Sequence, residues 1–339
     1  MSARASILPV FVPHLGCPHD CVFCNQRRIT GELSPADAGT VREALSAAAA
    51  LPGDAGKRQL AFFGGSFTAI PEAQQEELLS AAQEGIEQGI IGSIRLSTRP
   101  DAVDGAVLAR LRRYGVETVE LGAQSMDDEV LRLSGRGHTA EDVRRAARLV
   151  KEAGFRLILQ MMTGLPGDTE EKSLSTAREL ISLRPDGVRI YPTVVVRDTA
   201  LYELWRRGVY REHTVEDAVR LCAKLLPLFE AAGIPVIRLG LNPTEELSGG
   251  GAAAGAYHPA LGELVRSRIL REKAELLLEG TEPGSRAVLA VQPRLLSQML
   301  GPKRANVSFL RGRFGLSELR VVPDPSICAE IEAVSVEKP

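Results

Sequence analysis

Six short, almost wholly apolar runs, each set apart from the next by a stretch of helical period, constrain this chain more than any other feature. They are ILPVFV (7–12), QLAFFG (59–64), SIRLST (93–98), VETVELG (116–122), FRLILQMM (155–162) and GVRIYPT (187–193). Continuous rather than alternating apolarity marks strands buried on both faces, as in a parallel sheet. Amphipathic patterns lie between and after them, at 35–51, 71–89, 104–114, 139–153, 170–183 and 214–232. Ser34 before Pro35, and Thr139 before Ala140-Glu141-Asp142, are good helix starts. Six βα units in a row predict an α/β fold with a parallel sheet and right-handed crossovers, either an open barrel or a doubly wound sheet.

The character changes after residue 240. LNPTEELSGGGAAAGAYHP (241–259) is rich in Gly and Ala without a period, and reads as a long loop of the kind that serves as a functional lid. A helical stretch (260–279) follows, then AVLAVQ (287–292), PRLLSQML (293–300) and LSELRVVP (316–323). The expected division is therefore 1–240 as a core domain and 241–339 as a small α+β extension. At 339 residues and 44% hydrophobic content, the chain can bury a large core. Its net charge of −2 supplies no global field toward nucleic acid or anionic membrane. Arg4 is not followed by an apolar region long enough for a signal peptide, and no run approaches the roughly 18 apolar residues of a span. A soluble protein of the reducing cytoplasm is expected, with no membrane partner.

The chemistry points to the loop after the first run. Cys17, Cys21 and Cys24 in GCPHDCVFC follow a C-x3-C-x2-C spacing, and only two other cysteines exist. Three thiolates can grip one face of a metal cluster, yet fall one short of a closed zinc site or a fully Cys-ligated iron–sulfur cube. An open iron is what a catalyst needs. The alternative is structural zinc completed by His14 or His19. Cys222 and Cys328 stand alone in apolar surroundings and read as small buried hydrophobes.

In a parallel βα barrel, functional groups gather on the loops after the C-terminal strand ends. The cysteine loop follows the first strand. GGSFT (64–68) follows the second, where Gly64 and Gly65 let backbone approach a ligand, or simply make the turn. LGAQS (121–125) ends the fourth strand, setting Gln124 and Ser125 at the rim; Ser125 is equally a helix cap. Gln160 in QMMTGLPGD (160–168) alternates with Leu157 and Leu159 and points inward, whereas Met161 and Met162 read as packing. Arg136, between two glycines in SGRGHT, either reaches a carboxylate or is an exposed loop arginine.

Taken together, these residues resemble the radical S-adenosylmethionine superfamily. The cysteine trio matches its cluster motif and GGSFT (64–68) its glycine pair. RPD (99–101), VELGAQS (119–125), RGHTAEDV (136–143), GLPGD (164–168) and YPTVVVRDTALYELWRRG (191–208) are similar to the radical core of the Elongator catalytic subunits, over about residues 7–240. The resemblance implies a partial (β/α)6 TIM-like barrel. It implies a 4Fe-4S cluster on Cys17, Cys21 and Cys24, with S-adenosylmethionine on the open iron. Reductive cleavage would then yield a 5′-deoxyadenosyl radical that takes hydrogen from substrate. Gly64, Gly65 and Ser66 would meet the methionyl amino group, and Gln124, Ser125, Arg136 and Gln160 the ribose or carboxylate. Tyr191 becomes a substrate-side catalytic candidate. A one-electron reductant such as flavodoxin or ferredoxin is implied as a partner.

The spacing of Cys17 and Cys21 is the compact one of the wider superfamily, shorter than Elongator's, and residues 241–339 carry no coenzyme A signature. Acetyl-CoA-dependent carboxymethylation of tRNA is accordingly not expected of this chain, although tRNA stays a candidate partner. Arg266, Arg268, Arg271, Lys273, Lys303, Arg304, Arg311 and Arg313 could track phosphates if they shared a surface. An ordinary solvated face interleaved with Glu263, Glu272 and Glu275 is the favoured reading. The competing function is a non-catalytic zinc- or cluster-binding interaction protein on a barrel scaffold.

Overall fold

The computed structural model describes residues 6–12, 17, 21–25 and 36–338. Seven strands form one parallel sheet in the order β1 (Ser6–Phe11), β2 (Arg58–Phe63), β3 (Ser93–Thr98), β4 (Val116–Gln124), β5 (Arg156–Thr163), β6 (Gly187–Pro192) and β8 (Val236–Leu239). Each strand lies beside its predecessor and the order never reverses, which removes the doubly wound alternative. The sheet is a curled half-barrel. Helices α1 (Ala38–Ala49), α2 (Glu72–Glu87), α3 (Gly105–Arg113), α5 (Ala140–Glu152), α6 (Glu170–Ser182) and α8 (Val215–Ala231) are the crossovers, with α4 (Asp128–Leu133) and α7 (Ala200–Arg206) as short extra turns.

All six expected strands form. The six-unit expectation falls one strand short: VIRL in β8 is partly exposed along its length and carries an arginine, so it offers no apolar run to read. Thr139 caps α5 as expected, in a reciprocal box with Asp142. Ser34 lies outside the described residues; the cap that is described for α1 is Asp37, which accepts from the Thr40 amide. The strands are dry where they meet the helices. Leu157, Leu159 and Met161 on β5 are fully buried, which makes Met161 a packing residue.

Residues 241–259 are not a free loop. They close the segment Leu225–Pro259, which forms one compact unit with the described residues up to Thr214. β9 (Ala252–Gly255) pairs antiparallel with β7 (Val194–Val196), and Leu247 packs with Val194 and Val196. Gly255 is required there. Its φ is +93°, and a Cβ would lie 2.9 Å from the Thr193 carbonyl. The packing thus divides the chain after Pro259, whereas the sequence reading drew its line at 240.

The second unit comprises Val215–Lys224 and the residues from Ala260 onward. Its sheet sets β10 (Arg286–Val291) between β11 (Glu318–Pro323), parallel to it, and β12 (Ile331–Glu337), antiparallel to it. Helices α9 (Leu261–Leu277), α10 (Leu296–Leu300) and α11 (Ala305–Phe314) complete it around Leu270, Leu289, Met299 and Leu310. β12 was not expected, because most of its residues are exposed and no apolar run announces it. Cys222 is fully buried, as expected, but Cys328 is exposed. The apolar neighbours of Cys328 in sequence do not cover it. Among the described residues no helix is long and apolar enough to cross a membrane.

Candidate active site

The cysteine loop follows β1, and among its described residues Val22 ties it to two helices. The Val22 amide donates to the Ser134 carbonyl (3.1 Å) just past α4, and the Leu201 amide at the start of α7 donates to the Val22 carbonyl (2.7 Å). Cys24 N–H closes a turn on the Cys21 carbonyl at 3.0 Å. Cys17, Cys21 and Cys24 are half-buried and unbridged. Among the described residues, donors from the connections after β2 and β4 reach the sulfurs of Cys17 and Cys21. The Ser66 backbone amide, on the GGSFT turn after β2, donates to Cys17. Arg136 Nη1 donates to Cys21 Sγ at 3.3 Å. Burial pushes the Cys17 thiol up and neighbouring Cys21 adds to this, while Arg136, Arg99 and the Ser66 amide pull it down. Among the described residues no three His, Cys, Asp or Glu side chains are gathered around a single metal position. His14 and His19 lie outside the described residues.

Beneath the loop sits a buried arginine pair. Arg136 also donates Nη2 to the Gly122 carbonyl (2.8 Å), and its own carbonyl accepts from Arg99 Nη2. Arg99 is 3% exposed and bonded to Asp101 at 3.0 Å. Among the described residues one carboxylate answers two guanidiniums, which leaves a positive charge beside Cys21. Gly122 makes room for this: a Cβ would lie 2.9 Å from Gln124 Nε2 and 3.3 Å from Arg136 Nη2. Gly64 turns the GGSFT loop with φ +103°. The Ser66 side chain accepts from the Arg99 amide (3.1 Å) and meets Thr98 (3.3 Å), joining the loops after β2 and β3. Sequence reasoning gave Arg99 no role, although RPD stood in the resemblance.

At the end of β4 the register slips between Gly122 and Gln124, and Gln124 adopts a φ of +66°. That conformation is uncommon for a side chain of this size. Among the described residues Gln124 Oε1 is buried without a hydrogen-bond partner. It is an acceptor waiting for a donor. Ser125 is engaged differently: its Oγ accepts from the Asp127 amide (3.1 Å) and meets Thr176 Oγ1 on α6 (3.4 Å). His138, which stood in RGHTAEDV without a role of its own, lies 3.2 Å from the Ala123 carbonyl through Nε2. Burial, then the Arg136 charge, hold its pKa down to about 4.

Gln160 and Tyr191 lie on the concave face, both more exposed than Gln124 or Arg136. Gln160 Nε2 donates to Glu120 Oε2 (2.9 Å) and lies 3.4 Å from Ser97 Oγ. Glu120 is wholly buried, between Arg95 (2.8 Å) and Arg189 (2.9 Å). Arg189 stacks over Phe63 at 5.3 Å and hydrogen-bonds the Tyr191 hydroxyl. Burial pushes the Tyr191 phenol up, with Arg189 opposing. The inward positions of the barrel are therefore a charged network rather than an apolar plug. Of the expected site residues, the structure brings Cys17, Cys21, Ser66, Arg136 and Gln124 to one rim, and sets Gln160 and Tyr191 on the network around Glu120 and Arg189. Ser125 turns toward α6. In the second unit, Arg268 pairs with Glu272 (2.5 Å), Lys273 with Glu330 (2.6 Å) and Arg313 with Glu275 (3.3 Å), so that stretch is a solvated face of ion pairs.

Comparisons with known proteins bear on the family and the fold. The profile described as "Radical SAM superfamily" matches residues 11–180, and that described as "Radical_SAM C-terminal domain" matches residues 185–271. Elongator complex protein 3 of Saccharomyces cerevisiae is 32% identical over 192 residues, covering 51% of this chain and 34% of its own length. A tRNA uridine(34) acetyltransferase of Methanocaldococcus infernus is 35% identical over 129 residues, 37% of this chain and 24% of that protein. The chain spans about a third of the length of the curated relatives it matches. Among solved structures, the archaeal Methanocaldococcus infernus Elp3 with an N-terminal deletion superposes with a TM-score of 0.63 at 24% identity, over 84% of this chain and 67% of that one.

Proposed function

The chain belongs to the radical SAM superfamily, and from that membership we propose that it is an enzyme holding a 4Fe-4S cluster on Cys17, Cys21 and Cys24 and binding S-adenosylmethionine beside it. The observation that carries this reading is the convergence of the Ser66 amide and Arg136 Nη1 on the sulfurs of Cys17 and Cys21. Donors aimed at thiol sulfur suit thiolates that carry charge as ligands. The donor set fits the group, since three unbridged thiols share one strand-end loop. When bound, the cluster and S-adenosylmethionine supply reductive carbon–sulfur cleavage to a 5′-deoxyadenosyl radical for hydrogen abstraction.

The chain's own residues bind, orient and exclude water. Arg136, held by the Gly122 carbonyl, fixes Cys21 and sets a positive charge under the ligand loop. Gly64 and Gly65 present backbone to the methionyl amino group, while Ser66 holds its turn against Thr98 and Arg99. Gln124 offers its unpartnered Oε1 to a ribose hydroxyl, which donates. Ser125 and Gln160 act indirectly, the first by bracing the rim on Thr176 and the second by anchoring Glu120. Tyr191 faces the substrate side. The electron comes from a flavodoxin- or ferredoxin-like donor in the cytoplasm. A tRNA substrate is part of this proposal, supported by the relatives' activity and tested by salt-dependent retention of tRNA.

The deciding experiment is anaerobic reconstitution with iron and sulfide. A brown protein is expected, with a cluster spectrum that shifts on addition of S-adenosylmethionine and with 5′-deoxyadenosine released under reductant. Cys21→Ala should abolish all three. A colourless protein that takes up zinc instead would install the non-catalytic reading in its place.

A further inference from the structure

The concave face of the half-barrel carries more positive charge than its own carboxylates answer. Arg95, Arg189 and Arg238 stand on β3, β6 and β8, and Glu120 is shared by the first two. Glu117, the other acid near this face, is exposed and is taken by Gln59 Nε2 (2.7 Å) and Ser93 Oγ (2.8 Å). Arg238 donates Nε to the Gly240 carbonyl at 3.0 Å and has no carboxylate partner among the described residues. It is also the register partner of Arg189 on the neighbouring strand. Like charges facing one another across adjacent strands repel. Tyr191 is two residues beyond Arg189 on the same face; its hydroxyl bonds Arg189 and feels the Arg238 charge. Two guanidiniums and a phenol thus meet at half-buried positions with one negative charge too few.

We propose that Arg189, Tyr191 and Arg238 form an anion-recognition subsite that takes the carboxylate or phosphate of the substrate. Planar guanidinium forks match both oxyanions, and the phenol O–H supplies a third, neutral donor. An oxyanion there offsets the Arg189–Arg238 repulsion that the bare protein leaves standing. Glu120 keeps Arg189 from turning away, because Arg95 and Gln160 hold that carboxylate from the other side. The subsite rests on the reading that the concave face is the substrate side.

The test uses the full chain at fixed ionic strength in chloride. Inorganic phosphate is followed by phosphorus NMR line broadening, and carboxyl-labelled acetate by carbon NMR, the stronger binder naming the source of the oxyanion. Arg238→Gln should weaken the preferred anion about tenfold or more, the loss of one charge-assisted hydrogen bond. Tyr191→Phe should weaken it by a smaller factor. Arg238→Lys should recover part of the loss, and Arg207→Gln, at an exposed position, should leave binding unchanged. Wild-type protein that binds neither anion above the chloride background, or Arg238→Gln that binds like wild type, overturns the proposal. The titration needs no cluster. Failure of reconstituted protein to cleave S-adenosylmethionine while the anion site persists would strike the earlier reading and spare this one.

Discussion

Replacing His138 by glutamine should flatten the acid limb of this protein's stability curve. The native imidazole is 5% exposed, meets the Ala123 carbonyl through Nε2, and lies close to Arg136. Burial first and the arginine second disfavour its cation, holding the folded pKa at about 4 against 6.5 for the free side chain. Between those values the unfolded chain takes up a proton that the folded chain refuses. Stability is therefore complete above pH 6.5 and is lost as pH falls toward 4. The full difference, about 2.5 in pKa, corresponds to roughly 3 kcal/mol, of which about 2.5 kcal/mol has gone by pH 4.5. Glutamine can keep a donor to the Ala123 carbonyl but cannot titrate. Urea unfolding of reduced, cluster-free protein, run from pH 7.5 to 4.5, should show wild type losing about 2.5 kcal/mol more than His138→Gln. Carboxylates elsewhere titrate alike in both proteins and cancel. Parallel curves, or a native His138 resonance titrating near 6.5, would refute the argument.

Other consequences follow from the same contacts. Glu120→Gln strips the carboxylate from between Arg95 and Arg189 and should cost about 3–5 kcal/mol in urea unfolding. Gly122→Ala drives a methyl against Gln124 Nε2 and Arg136 Nη2; overpacking should cost about 1–3 kcal/mol, and iron retained per chain after reconstitution should fall as Arg136 leaves Cys21. Iodoacetamide on the native protein should modify exposed Cys328 and spare Cys222, whose thiol burial pushes up to about 12.

The βα alternation and the cysteine trio were legible in the residues because both are local. Hydrophobic period is written into ten or so consecutive positions, and the thiol spacing into Cys17–Cys24. Even the cap at Thr139 needs only three residues to form. Strands escaped notice where locality failed. β8 and β12 are partly exposed, carry no apolar run, and exist because neighbouring strands offer them partners. The Gly-rich 249–255 stretch, which has no period of its own, finds order on β7.

What tertiary structure alone decided is the company the polar residues keep. Arg95, Gln160 and Arg189 reach Glu120 from 25, 40 and 69 residues away. Arg136 reaches Cys21 across 115. No window of sequence contains such pairs, since they depend on which strand lies beside which and on the register between them. The chain spells out the cysteine loop; the curl of the sheet determines which charges surround it.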